Sequence, residues 1–138
     1  MQIKGNIKPI TGWVLSGLLS VVMIGSAIAK LVGPEPVIEG FSKFGLADWR
    51  IIIGIGELVS AVLFLVPRTA VLGTLLLSSY LGGAIVTNMQ HNESWIAPAV
   101  ILVVVWIAAG LRIPELFQGM LGGGQNLSKA AAGGLGEL

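Results

Sequence analysis

A chain must string together about 20 mostly apolar residues to cross a bilayer as a helix. This one does so, or nearly so, four times. The runs are Ile10 to Val32, Ile51 to Val66, Ala70 to Met89 and Ile96 to Ile113. In lipid every backbone N–H and C=O must be satisfied inside the protein, which leaves helices and closed barrels. No period-two alternation marks strands. The expected fold is therefore all-α, a transmembrane four-helix bundle with a short interfacial helix in the first loop. Composition agrees. Hydrophobic residues make up 54% and charged residues 11%, against about 25% charged in ordinary soluble domains. A net charge of +1 supplies no basic field for nucleic acid. The absence of cysteine excludes disulfides, thiolate catalysis and zinc–thiolate sites. A lone histidine, His91, builds no metal site of the usual kind, and none is expected.

The breaks between the runs are chemically distinct. Gly33, Pro34 and Pro36 stop the first helix. Pro67-Arg68-Thr69 is a tight turn, and His91-Asn92-Glu93-Ser94 is a polar one. Pro98 falls in the first turn of the last helix, where its missing N–H costs little, and Pro114 ends that helix. The predicted spans are about 10–32, 51–66, 70–89 and 96–113. They form one domain over 1–118, followed by a Gly-rich tail over 119–138 that is disordered or partner-bound. The second run is short, but Arg50 and Arg68 bracket it with stems that reach outward. Lys4 and Lys8 ahead of an apolar run, with Ala27-Ile28-Ala29 behind it, imitate a signal peptide. The run is longer than the roughly 7–15 residues of a signal core, so it is read as a retained span.

Four spans place both termini on one side, with Lys4, Lys8, Arg68, Arg112 and Lys129. Lys30, Lys43 and Arg50 fall on the other. The positive-inside rule then puts both termini in the cytoplasm, in a bacterial inner membrane, with Arg68 and Arg112 setting topology. Arg112 also opposes the negative end of its helix dipole. In the outer loop, Val37, Ile38, Phe41 and Phe44 recur at helical spacing while Leu46 falls off the stripe, which predicts an amphipathic surface helix. Small residues four apart let helices approach closely in lipid. Gly56 and Ser60 on the second span, and Gly82 and Gly83 on the third, are the predicted packing positions. Packing within one bundle is the plain reading, and a homo-oligomer through one such face is the alternative.

Glu57 is the residue of most chemical interest, because a carboxylate inside a span is costly and must face the interior, pair or take a proton. Lys30 is its geometric partner. That pair either locks two helices or belongs to a proton relay or a polar headgroup contact. On the third span Tyr80, Ala84, Thr87, Asn88 and His91 share one face, in the same half of the membrane. Together with Lys30 and Glu57 they form a polar cluster, the candidate ligand site if they converge. The plain alternatives are a Tyr80 anchored to backbone, an Asn88 closing its helix and an interfacial His91. No serine–histidine–acid set, phosphate loop or haem ligand pair is present. Gly54-Ile55-Gly56 lies inside a span and is no dinucleotide fingerprint.

Three stretches resemble the DoxX-like family of small membrane proteins. They are Ile53 to Thr74, which holds Glu57 and Pro67-Arg68-Thr69, then Ser79 to Asn88 with Tyr80-Leu81-Gly82-Gly83-Ala84, and Trp106 to Pro114. The Ser26 to Gly33 end of the first span is similar too. The resemblance implies a four-helix membrane bundle with a loose link to membrane redox systems, and it draws attention to Lys30, Glu57, Arg68, Tyr80, Gly82, Gly83 and Asn88. The Gly-rich tail lies outside the family pattern.

The function expected is that of a non-catalytic subunit or accessory of a larger membrane complex, with redox linkage, and no catalytic residue is assigned. The alternative is a quinone-interacting component of a membrane oxidoreductase using the cluster around Glu57. A small-solute or proton transporter is the third reading. No cofactor is evident beyond a quinone or a lipid. The expected partners are the bilayer and other membrane subunits, with the 119–138 tail as a contact and no nucleic acid.

Overall fold

The computed structural model describes the backbone of residues 3–116, 118 and 132–134, with side chains from residue 9 onward. The described residues are helical and contain no strand. The helices are α1 (Ile3–Val32), α2 (Glu35–Lys43), α3 (Arg50–Leu65), α4 (Ala70–Gln90) and α5 (Ile96–Arg112). Short 3₁₀ turns at Ala47–Trp49 and Pro67–Thr69 precede α3 and α4. Helices α1, α3, α4 and α5 occupy the four stretches predicted as spans, and α1 begins earlier than expected. Of the predicted 119–138 tail only 132–134 are described, and they are helical; the rest lies outside the described residues.

Two segments, Pro9–Val32 and Pro67–Gln90, are long and apolar enough to cross a membrane. At 1.5 Å per residue α1 is about 45 Å long. The apolar Ile96–Arg112 helix is shorter.

Local chemistry sets the boundaries. α1 ends where Gly33 adopts a left-handed φ of +72°, a conformation that costs glycine little. Val66 is extended ahead of Pro67, as the residue before a proline prefers. The Thr69 hydroxyl closes that turn by donating to the Leu63 carbonyl at 2.9 Å. Asn92 takes a φ of +57° between α4 and α5, and asparagine tolerates this region.

α1 packs against α3 and α5, and α4 packs against the same two, so α1 stands diagonal to α4. The core holds Leu19, Met23, Ala61, Phe64, Leu77, Leu81, Val105, Ala108 and Ala109. Polar side chains are buried with them, namely Ser16, Ser20, Glu57, Ser60, Thr74 and Arg112. The outer faces are apolar, with Val14, Leu18, Val21, Leu75 and Val103 exposed. A bundle in water shows the opposite arrangement.

The close helix approaches differ from those predicted. A Cβ added at Gly56, Gly82 or Gly83 would meet open space. Only Ser60 of the predicted packing set is buried, and its hydroxyl donates to the Gly56 carbonyl at 2.6 Å. The tight contacts lie instead at Gly73 against the Phe64 backbone, Gly12 against the Arg112 backbone, and Gly54 against Lys30. Spacing of i, i+4 marks a smooth face on a helix but does not say which way that face turns.

α2 lies where the loop helix was predicted, with one change of detail. Ile38, placed on the apolar stripe, is exposed, while Leu46 is half-buried. The helix stops at Lys43, and Gly45 turns the chain with a φ of +68°. The helical period therefore ceases to apply, and the Leu46 N–H donates to the Phe41 carbonyl.

Gly73→Ala is expected to lower stability by roughly 2–3 kcal/mol, because its Cβ has nowhere to go but into backbone. Gly56→Ala is expected to be neutral or to stabilise by up to about 1 kcal/mol. Thermal unfolding in mild detergent measures both. A Gly73→Ala protein that melts with the parent would contradict the α3–α4 contact.

Candidate functional site

Where α1 ends and α3 begins, the two helices are drawn together at Gly54, whose missing side chain leaves room for the Lys30 stem. The Lys30 ammonium reaches the Glu57 carboxylate at 2.6 Å. It also donates to the Ser26 hydroxyl, one turn back on its own helix, at 2.6 Å. Glu57 is 1% exposed and Lys30 is 13% exposed. The Arg50 guanidinium donates to the Lys30 carbonyl, satisfying an acceptor that the end of α1 leaves free. From α4, Tyr80 stands beside the same pair. The Lys30 Nζ lies 5.8 Å from the Tyr80 ring centroid. Three helices thus contribute one side chain each to a single polar group.

Beside this group is a cavity of about 480 Å³, within the usual 300–1,000 Å³ range of ligand pockets. Lys30 and Tyr80 form its polar end, and Phe41, Phe44 and Leu46 from the α2 segment cover it. Ile53, Gly83 and Ala84 add an apolar wall, and Thr87 and Asn88 complete the lining along α4. Glu57 is not in the lining. The carboxylate holds Lys30, which lines the space together with Tyr80. This slot is lined mainly by apolar groups, with polar side chains at Lys30, Ser79 and Tyr80 and again farther along α4 at Thr87 and Asn88.

The predicted cluster is therefore brought together in part. Lys30, Tyr80, Thr87 and Asn88 share the cavity. The Thr87 hydroxyl donates to the Gly83 carbonyl at 2.9 Å, so what it has left is acceptor capacity. The Asn88 amide donates to the Ser94 carbonyl at 2.9 Å and secures the turn before α5 rather than closing its own helix. His91 is outside the lining. Its Nδ1 lies 2.9 Å from the Thr87 carbonyl, and its ring meets Phe44 edge-on at 5.0 Å between centroids.

At the opposite end of the bundle, Arg112 differs from expectation. It stands in the last turn of α5, as expected, but is buried there rather than free as a topological charge. Its guanidinium lies 4.6 Å from the Trp13 ring and 4.9 Å from the Phe64 ring, and it donates to the Phe64 carbonyl. It fastens α5 to α1 and α3. Arg68 is exposed in the turn before α4. Among the described residues no group of three His, Cys, Asp or Glu could hold a metal ion.

Sequence reasoning passed over Ser26, Gly54, Arg50 and the covering aromatics as parts of this site. Ser26 and Gly54 carried a signal, since each sits one turn before its partner's position on the same helix face. Nothing in the spacing pointed to Arg112.

A profile of the DoxX-like family matches residues 14–110, from the fourth turn of α1 into the last turn of α5. The chain belongs to the DoxX-like family. It is a DoxX-like membrane protein, so the apolar outer faces of its helices are of the kind that meets lipid. No curated protein and no solved structure matches the chain.

Lys30→Met is expected to destabilise this DoxX-like protein by about 3–5 kcal/mol, because it strands a buried carboxylate. Lys30→Met with Glu57→Leu is expected to recover most of that loss in the same melting measurement. Equal melting of the single and double variants would count against the pair as the lock between α1 and α3. Outside the spans, Glu93 is held below its ordinary carboxylate value of 4.5 by the hydrogen bond and charge of Lys43, with a smaller contribution from the charge of His91. A depressed value means that the contribution is fully present above that ordinary value and is lost as pH falls through the depressed one. Carboxyl NMR titration is expected to place the Glu93 midpoint below the ordinary value, and Lys43→Gln is expected to move it up.

Proposed function

We propose that this DoxX-like protein is a four-span protein of the bacterial inner membrane, with both termini cytoplasmic, that holds a lipid-soluble ligand of the quinone class. It does so as a non-catalytic component of a larger redox assembly. The observation that supports the ligand is the cavity between α2 and α4, with its aromatic cover and the Lys30–Tyr80 pair at one end. A quinone headgroup is a flat ring with carbonyl acceptors, and its tail is apolar. Lys30 has three donor hydrogens and directs bonds to Ser26 and Glu57, which leaves one for a carbonyl. Tyr80 flanks that position. A hydrogen bond from a charged donor in a site of this polarity contributes about 1.5–3 kcal/mol.

Lys30 and Tyr80 bind and orient a headgroup, and electron transfer is assigned to a partner subunit. The four spans are supported by the pairing of α3 and α5 with the two longer helices. The cytoplasmic termini are supported by the larger share of Lys and Arg on that side.

Saturable quenching of tryptophan fluorescence by decyl-ubiquinone in nanodiscs tests the ligand. Trp49 and Trp95 flank the cavity end of the bundle in sequence, next to α3 and α5. Lys30→Met is expected to weaken binding about tenfold or more, in line with the hydrogen bond lost. Ala84→Phe, which fills the slot, is expected to abolish it. Saturable binding that survives Ala84→Phe, or a parent protein that shows none, would overturn this reading.

A further inference from the structure

The cavity is covered by a helix that is attached firmly on one side and weakly on the other. α2 has no buried residue. Its contribution to the fold is the half-buried row that roofs the slot, Phe41 and Phe44, continued by Leu46. On either side of it stand the two described glycines with positive φ, Gly33 at +72° and Gly45 at +68°. Both lie on the connections to α1 and α3, the pair of helices locked by Lys30 and Glu57. The Gly33 connection is held further, since its N–H donates to the Ala29 carbonyl and Arg50 donates to the Lys30 carbonyl beside it.

The other side of α2 meets the turn between α4 and α5 through two contacts. Lys43, the last residue of α2, makes an ion pair with Glu93, and both side chains are exposed, at 60% and 41%. Phe44, the next residue, meets His91 edge-on. An exposed ion pair of this kind holds weakly and is screened by salt. Its breakage would leave the Phe44–His91 ring contact as what holds the roof on that side. The cavity wall, by contrast, is made by Ile53 of α3 and by Tyr80, Gly83 and Ala84 of α4, which belong to the packed bundle.

We propose that α2 is a hinged lid over the cavity, turning about Gly33 and Gly45 and latched to the α4–α5 turn by Lys43 and Glu93, and that a lipid-soluble molecule enters the slot when the latch opens. What passes the lid rests on the ligand reading above; the lid itself does not. Opening lifts Phe41 and Phe44 away from Ala84 and Thr87 and exposes the slot at the edge of the bundle. The polar end stays in place, because Lys30, Glu57 and Tyr80 belong to α1, α3 and α4 rather than to the lid. Hinge residues of mobile lids are commonly a few loop positions at element ends that absorb the change in φ and ψ. Gly33 and Gly45 are such positions.

Because the chain has no cysteine, a single thiol reports access without background. Ala84→Cys places it in the cavity wall, and Val86→Cys, on the exposed face of the same helix, serves as the reference. N-ethylmaleimide labelling rates are compared in nanodiscs. In the Ala84→Cys protein, Glu93→Lys, which sets two cations against each other, is expected to speed labelling roughly two- to five-fold. Adding Lys43→Glu restores an ion pair of opposite polarity and is expected to return the rate to that of the parent. Raising salt is expected to speed labelling of the parent and to leave a Glu93→Gln protein unchanged. The Val86→Cys rate is expected to stay constant throughout, which also reports that each variant is folded. A rate at Ala84→Cys that ignores Glu93→Lys, or that the charge swap fails to restore, overturns the lid. Latch-dependent labelling without decyl-ubiquinone binding supports the lid and removes the quinone reading. Binding with latch-independent labelling does the reverse.

Discussion

The buried ion pair between Lys30 and Glu57 is the interaction on which the rest of this structure is arranged. A carboxylate with almost no exposure is tolerated in an apolar bundle only when a counter-charge and hydrogen bonds reach it. Lys30 supplies both from the end of α1, with its ammonium 5.8 Å from the Tyr80 ring centroid on α4. The requirement fixes the register of α1 against α3 to within the reach of a lysine stem. Gly54 is the local condition for it, since any side chain there would press on Lys30. Glu57 is outside the cavity lining, and its charge holds Lys30, which is part of that lining. One constraint therefore serves both stability and the shape of the candidate site.

Three other hydroxyls within the bundle follow a different rule. Ser60, Thr74 and Ser78 each donate to the carbonyl one turn earlier on their own helix. They are satisfied without reaching across the bundle, so they let small side chains pack inside without demanding partners. Arg112 is the exception at the far end, where it acts between helices, against two aromatic rings and the Phe64 carbonyl. The bundle is thus tied by charge at both ends and packed by apolar and small residues between. The two ties differ in consequence. Arg112 closes its end of the bundle, whereas the Lys30 end opens beside a cavity and is roofed by a helix with little burial of its own.

Much of the fold was legible because the bilayer imposes a length and a composition on each span. The four long helices, their breaks at Gly33, Pro67 and Asn92, and the helix in the first loop all follow from apolar run length and from glycine and proline chemistry. The Lys30–Glu57 partnership was legible as well, because each residue is a charge inside an apolar run and each lies near the same end of its helix. The face of α4 bearing Tyr80, Thr87 and Asn88 followed from helical periodicity alone. The inward-facing glycines were not legible. Gly56 and Gly73 look alike in sequence, yet one faces open space and the other touches backbone, because the rotation of a helix about its axis is decided by all of its neighbours together.

The sequence by itself determined that the chain is helical, apolar on its outside and short of charge, and that Glu57 must find Lys30 or lose its own charge. Those outcomes depend on the solvent and on the cost of an isolated ion, which are properties of residue types. Only the tertiary structure decided that Glu57 lies outside the cavity lining, that Arg112 is a buried tie, and that Phe41, Phe44 and Leu46 form a roof over Ala84. These depend on distances between residues far apart in the chain, set by how four helices pack and by where two glycines turn the backbone between them.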